Sequence, residues 1–170
     1  MRKVLLCVSL ASLLAGCAAG GSFWRWGGMQ PRYSANANVT VIEQRHTTGT
    51  VAPQYYNEES VVIYGNGDWI ATRVYPYTTP PKKEGIGAGM LSRDQLQRLV
   101  DVAFESPGGG QPRFIDLPQT VDSGAVGGGR RSIVLTLEGG THSVAVNGPA
   151  PEAFNRLDDA IGAATVKLMP

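Results

Sequence analysis

Val61-Val62-Ile63-Tyr64-Gly65-Asn66-Gly67-Asp68-Trp69-Ile70-Ala71-Thr72-Arg73-Val74-Tyr75 is the stretch from which the fold is read. Two runs rich in β-branched and aromatic residues flank Gly65-Asn66-Gly67-Asp68. An Asn-Gly pair between such runs signals a β-hairpin, because both residues tolerate positive φ. Working backwards, Val39 to Glu43 (VTVIE) is β-branched and predicts another strand. Arg45 to Ser60 is polar, carries Gly49, Pro53 and the pair Tyr55-Tyr56, and reads as a loop. Working forwards, Pro76 to Met90 holds three prolines with Gly85, Gly87 and Gly89 and reads as a mobile crossover loop. Its G-x-G-x-G spacing is not the G-x-G-x-x-G of a dinucleotide site, and no strand precedes it.

Leu91 to Glu105 predicts a helix. Ser92 with Gln95 three residues on forms a capping box, and Leu91 is placed to staple to Leu96. Leu96, Leu99, Val100, Ala103 and Phe104 follow the i, i+3, i+4 rhythm of one buried face. Ser106 to Arg130 reads as a glycine-rich surface loop pinned by Phe114, Ile115 or Leu117. Ile133, Leu135 and Leu137 then alternate with Val134 and Thr136. Gly139-Gly140 turns the chain into a second hairpin, whose return strand runs Thr141 to Asn147. Pro151 fits the first position of a closing helix with Ala153, Phe154, Leu157, Ala160, Ile161 and Ala164 on its buried side. The expectation is an α+β fold: an antiparallel sheet of about five strands built from two hairpins, with two amphipathic helices packed on one face.

The N-terminus is of another kind. Arg2 and Lys3 precede the apolar run Val4 to Leu14, which has the length of a signal h-region and falls short of the ~20 residues of a membrane-spanning helix. Leu14-Ala15-Gly16-Cys17 resembles the lipobox of bacterial lipoproteins. That resemblance implies removal of residues 1–16 and a diacylglyceryl group on Cys17. Residues 17–38 then form a lipidated flexible tether, and residues 39–168 a single domain. Ala18 stands where that family's inner-membrane retention signal has Asp, which implies the periplasmic side of an outer membrane in a Gram-negative cell. Trp24-Arg25-Trp26 within the tether suits either a second contact with the headgroup region, where Trp concentrates, or packing of its aromatics onto the folded domain.

Composition narrows the functions. Without Arg2 and Lys3 the chain has 13 Lys and Arg against 14 Asp and Glu, which is no footprint for nucleic acid. Of two cysteines, Cys7 leaves with the signal and Cys17 carries the lipid, so no disulfide or thiol nucleophile is expected. His46 and His142 belong to no metal motif and are expected to face solvent, as are Glu58-Glu59 and Asp158-Asp159. No serine sits in G-x-S-x-G. No enzyme, metal or cofactor is expected.

From Leu91 onward, the order of capped helix, short segment ending Asp116-Leu117-Pro118, hairpin and Pro-started helix resembles the emfourin-type bacterial metalloprotease inhibitors. Phe104, Leu117, Asp122 and Val144-Ala145-Val146 carry the likeness. With the lipobox-like signal placing the chain in the envelope, this resemblance implies a non-catalytic domain for protein interaction, protease inhibition being one form that interaction can take. The candidate surface comprises the loops Thr47–Ser60, Pro76–Met90 and Gly108–Arg130, with Tyr55, Tyr56 and Tyr77 either serving as recognition residues or covering an edge of the core. The alternative is a small-ligand or carbohydrate-binding envelope module built on Trp69 and those tyrosines.

Overall fold

The computed structural model describes residues 31–124 and 128–168. The lipobox-like stretch Leu14-Ala15-Gly16-Cys17 and Trp24-Arg25-Trp26 lie outside the described residues. The fold is α+β, with a seven-stranded mixed sheet. Its strands are β1 (Thr40–Thr47), β2 (Glu58–Tyr64), β3 (Asp68–Tyr75), β4 (Lys82–Met90), β5 (Thr120–Asp122), β6 (Arg130–Leu137) and β7 (Gly140–Asn147). They lie in the order β4-β3-β2-β1-β6-β7-β5. Every pairing is antiparallel except β5 with β7, which is parallel. The expected sheet of about five antiparallel strands is thus corrected by two additions, β4 and β5, both in segments read as loops.

The central hairpin forms as expected, with one change in its turn. Gly67 N–H donates to the Tyr64 carbonyl at 2.9 Å, and Gly67 alone in the turn has a positive φ, +93°. Asn66 instead uses its side chain, with Oδ1 accepting from the Asp68 N–H at 3.1 Å. A Cβ on Gly67 would meet the Leu91 carbonyl oxygen at 2.2 Å, so this position has room only for glycine. That close approach ties the turn to the start of α1 (Arg93–Phe104), where the Leu91 N–H donates to the Gly67 carbonyl at 2.8 Å.

The capping box of α1 is present in both directions: Gln95 N–H to Ser92 Oγ at 3.2 Å, and Ser92 N–H to Gln95 Oε1 at 2.8 Å. The predicted face is buried at Leu96, Leu99, Val100 and Ala103. The second helix, α2 (Glu152–Ala164), buries Ala153, Phe154, Leu157 and Ile161, and Pro151 caps it one position before the expected first turn. Both helices contribute these faces to one core with Ile42, Ile63, Ile133 and Leu135 of the sheet. A short 3-10 turn, Phe114–Asp116, adds Phe114, whose ring lies 6.2 Å from that of Phe154.

Strand β4 explains its own glycines. Trp69 faces Gly89 across the β3–β4 pairing. A Cβ on Gly89 would come within 2.9 Å of the Trp69 indole, and one on Gly87 within 3.1 Å. The glycines therefore form a shallow seat for a half-buried tryptophan. Gly85 lies past the irregularity in the β3–β4 register, and a Cβ there would meet nothing within 4 Å.

The end of the expected tether is joined to the domain. The Arg32 carbonyl accepts from the Glu138 N–H at 3.0 Å, and Tyr33 Oη donates to the Arg93 carbonyl at 3.3 Å. A Cβ on Gly65 would overlap the Ser34 carbonyl oxygen, so the incoming chain lies directly on the β2–β3 turn. These contacts all sit at the end of the sheet that carries the β2–β3 and β6–β7 turns.

Candidate functional site

At the opposite end of the sheet two features meet, one buried and one exposed. The buried one is a row of polar side chains on the helix-covered face. In register across five strands, Arg131 of β6 lies opposite His46 of β1, His46 opposite Glu59 of β2, Glu59 opposite Arg73 of β3, and Arg73 opposite Glu84 of β4. Successive strand residues alternate between faces. The row therefore continues the columns that hold Ile42 and Val61 deeper in the core. Arg73 holds Glu59 Oε1 through Nε at 2.6 Å and Nη2 at 2.5 Å, with Glu59 only 2% exposed.

Helix α2 closes the row through Asp158. Its Oδ1 accepts from Gln44 Nε2 at 2.7 Å and His46 Nε2 at 2.9 Å, and its Oδ2 from Arg131 Nη1 at 3.2 Å. Burial pushes this carboxyl up. The hydrogen bonds from His46 and Gln44 and the charges of His46 and Arg131 outweigh it, so the group rests below the usual carboxylate range. An ionised carboxylate with three side-chain donors is a counter-ion, not a proton donor. The cluster lines a cleft of about 190 Å³. Gln44, turned by its bond to Asp158, leaves Oε1 as the buried side-chain atom without a partner among the described residues.

These positions correct four expectations. His46 is buried on β1, not in a solvated loop. Asp158 and Glu59 are buried in ion pairs, whereas their neighbours Asp159 and Glu58 are exposed. His142 is half-buried, and its Nε2–H donates to the Phe114 carbonyl at 3.2 Å with the two rings edge-on at 5.5 Å. Burial lowers its pKa below that of an ordinary histidine, against the opposing pull of the Phe114 carbonyl and the Asp116 charge. Asp122 stays exposed at the end of β5, where it caps the Gly124 N–H at 3.0 Å.

The exposed feature is built from tyrosines. Tyr56 precedes β2, and Tyr77 follows β3. Because these strands pair antiparallel, both residues arrive at the same end, and their rings meet edge-on with centroids 5.3 Å apart. Tyr55 and Tyr77 are 68% and 62% exposed, and Val51 in the same loop is 44% exposed. Internal bonds brace the supporting loops. Thr48 N–H donates to the Asn57 carbonyl at 3.1 Å, and Thr78 Oγ1 donates to the Tyr75 carbonyl at 2.9 Å and accepts from the Lys82 N–H at 3.0 Å. Tyr56 Oη donates to Glu58 Oε1 at 3.2 Å, and burial and that carboxylate push its pKa up. Trp69 is not part of this group, since it lies near the turn end of β3.

Among the described residues, no cluster of three or more His, Cys, Asp or Glu side chains is arranged to hold a metal. Among them too, no helix is long and apolar enough to cross a membrane. No protein-family model matches the chain, and no curated protein sequence matches it.

Proposed function

We propose that this protein is a lipid-anchored component of a bacterial cell envelope whose domain docks a protein partner through Tyr55, Tyr56 and Tyr77. The single observation that carries the reading is the exposure of Tyr55 and Tyr77 on braced loops, beside the Tyr56–Tyr77 ring pair. Tyrosines present large, rigid contact area at low entropic cost and are enriched among residues that dominate binding energy. The lipobox-like Leu14-Ala15-Gly16-Cys17 supplies the anchoring half of the reading. Two acyl chains give stable attachment where one does not.

The test has two parts. Cys17→Ser is expected to move the protein out of the membrane fraction or to block its processing. A processed, membrane-bound Cys17→Ser protein would overturn the anchor. Crosslinking in intact envelopes is expected to yield a discrete adduct that Tyr55→Ala/Tyr77→Ala weakens by at least about thirtyfold in affinity, the scale of truncating two such residues. A thermolysin-type protease assay with the same variants decides whether inhibition is the outcome of docking.

A further inference from the structure

Among the described residues, the sheet has one long open margin. Strand β4 is outermost in the strand order and runs nine residues, Lys82-Lys83-Glu84-Gly85-Ile86-Gly87-Ala88-Gly89-Met90. Its other edge strand, β5, has three residues and is too short to template an added strand. Alternate N–H and C=O groups of an edge strand point away from its neighbour and seek partners. On β4 small side chains leave that backbone accessible, because Gly85, Gly87, Ala88 and Gly89 put nothing bulky beside it.

The side-chain surroundings specify what fits. On the face away from the helices, Ala88 lies opposite Ile70, and Ile70 lies opposite Val62. Ile70 is 46% exposed and Met90 is 72% exposed, so the far half of the margin is bordered by apolar surface. At the near end, beside the Tyr77 loop, Lys82 is paired with Glu84, whereas Lys83 is exposed and has no ion-pair partner among the described residues. The margin is therefore apolar along most of its length and cationic at the end next to the tyrosines.

We infer that β4 accepts an extended segment of the protein partner as an eighth strand. The added segment alternates apolar residues and ends in a carboxylate side chain that meets Lys83. Antiparallel pairing, the more stable arrangement per residue, places that acidic residue at the C-terminal end of the segment. This deepens the docking reading and rests on it, since the tyrosine group and the cationic end of β4 are joined by the single loop Tyr75 to Lys82.

The probe is a synthetic peptide, Val-Thr-Val-Thr-Val-Thr-Glu, added to the full chain in detergent. The Trp24→Phe/Trp26→Phe background leaves Trp69, seated on Gly87 and Gly89, as the sole indole. Binding is expected to shift Trp69 emission to the blue and to slow hydrogen exchange at the β4 amides. Replacing the peptide's Glu by Lys, or Lys83 by Glu, is expected to weaken binding about three- to tenfold, and making both changes together to restore it. Absence of Trp69 and exchange responses at saturating peptide, or equal binding by a proline-interrupted peptide, would overturn strand addition. The peptide response reads β4 alone, and the envelope crosslink with Tyr55→Ala/Tyr77→Ala reads the tyrosines, so failure at β4 and failure at the tyrosines are read separately.

Discussion

The two ends of the helix-covered sheet face are built from opposite materials. At the turn end, Ile42, Ile63 and Leu135 are fully buried against hydrocarbon from the helices. At the other end the same columns continue as Arg131, His46, Glu59 and Arg73, and α2 reaches them with a carboxylate. Hydrocarbon packing is non-directional and indifferent to pH. A buried ion row demands geometry, depends on protonation, and gives little net stability over an apolar replacement while making the loss of one partner costly. The difference separates an end that secures the fold from an end whose side chains are set in fixed positions beneath the tyrosines.

The largest expected effect breaks the hydrocarbon end. Ile63→Ala is expected to cost about 4 kcal/mol by denaturant unfolding, with a loss that does not vary between neutral and mildly acidic pH. Asp158→Asn comes next, at about 3 kcal/mol near neutral pH, because Arg131 loses its counter-ion and Gln44 and His46 lose their carboxylate acceptor. Here pH sharpens the contrast. The folded carboxyl titrates below its unfolded value of about 3.9. Its contribution is complete above that value and is lost as pH falls through the lower folded value. The gap between wild type and Asp158→Asn is therefore expected to close on acidification below about pH 4. An unchanged gap there would show that the cluster works through packing alone.

Glycine substitution on β4 gives a smaller effect. Gly89→Ala is expected to cost about 1–2 kcal/mol by displacing the Trp69 ring, whereas Gly85→Ala, with open space around it, is expected to stay within about 0.5 kcal/mol of wild type. Smallest is the titration of His142. Its folded pKa lies below the ordinary value of about 6.5, so its neutral form contributes stability above that pH and the contribution is lost as pH falls through the lower folded value. Wild type is expected to lose more stability than His142→Gln between about pH 7.5 and about pH 5, measured by thermal unfolding.

How much of this was legible in the sequence follows from the same contrast. Where burial is apolar, period and burial agree: the α1 capping box, the Ile133–Leu135 alternation and the α2 stripe all form as read. Where buried positions are polar, hydrophobic alternation is hidden. Gln44, His46 and Glu59 face inward, so β1 and β2 extend into a stretch that reads as loop. Strand β4 was obscured differently, because the glycines that seat Trp69 remove the β-branched signal. Strand β5 is three residues long and is held by pairing with β7, a tertiary contact that its own composition does not encode. The tyrosines stand out in the sequence as candidates for recognition by residue type alone. Their assembly was not, since it depends on the antiparallel β2–β3 pairing to bring Tyr56 and Tyr77 together. The ion row has no local sequence signal at all, because its members come from five strands and a helix.

The stapling of residues 31–38 across the β2–β3 turn sets a geometry of standoff. The chain enters at one pole, and the tyrosines occupy the other, about 23 Å away along the seven residues of β2. On the proposed anchoring, the stretch from Cys17 to Pro31 reaches at most ~50 Å when fully extended. The entry pole is then drawn toward the lipid headgroups, and the tyrosine pole is carried outward. Such an anchor would attach at the entry pole and would leave both the aromatic tip and the lateral strand margin open to partners that approach across the compartment.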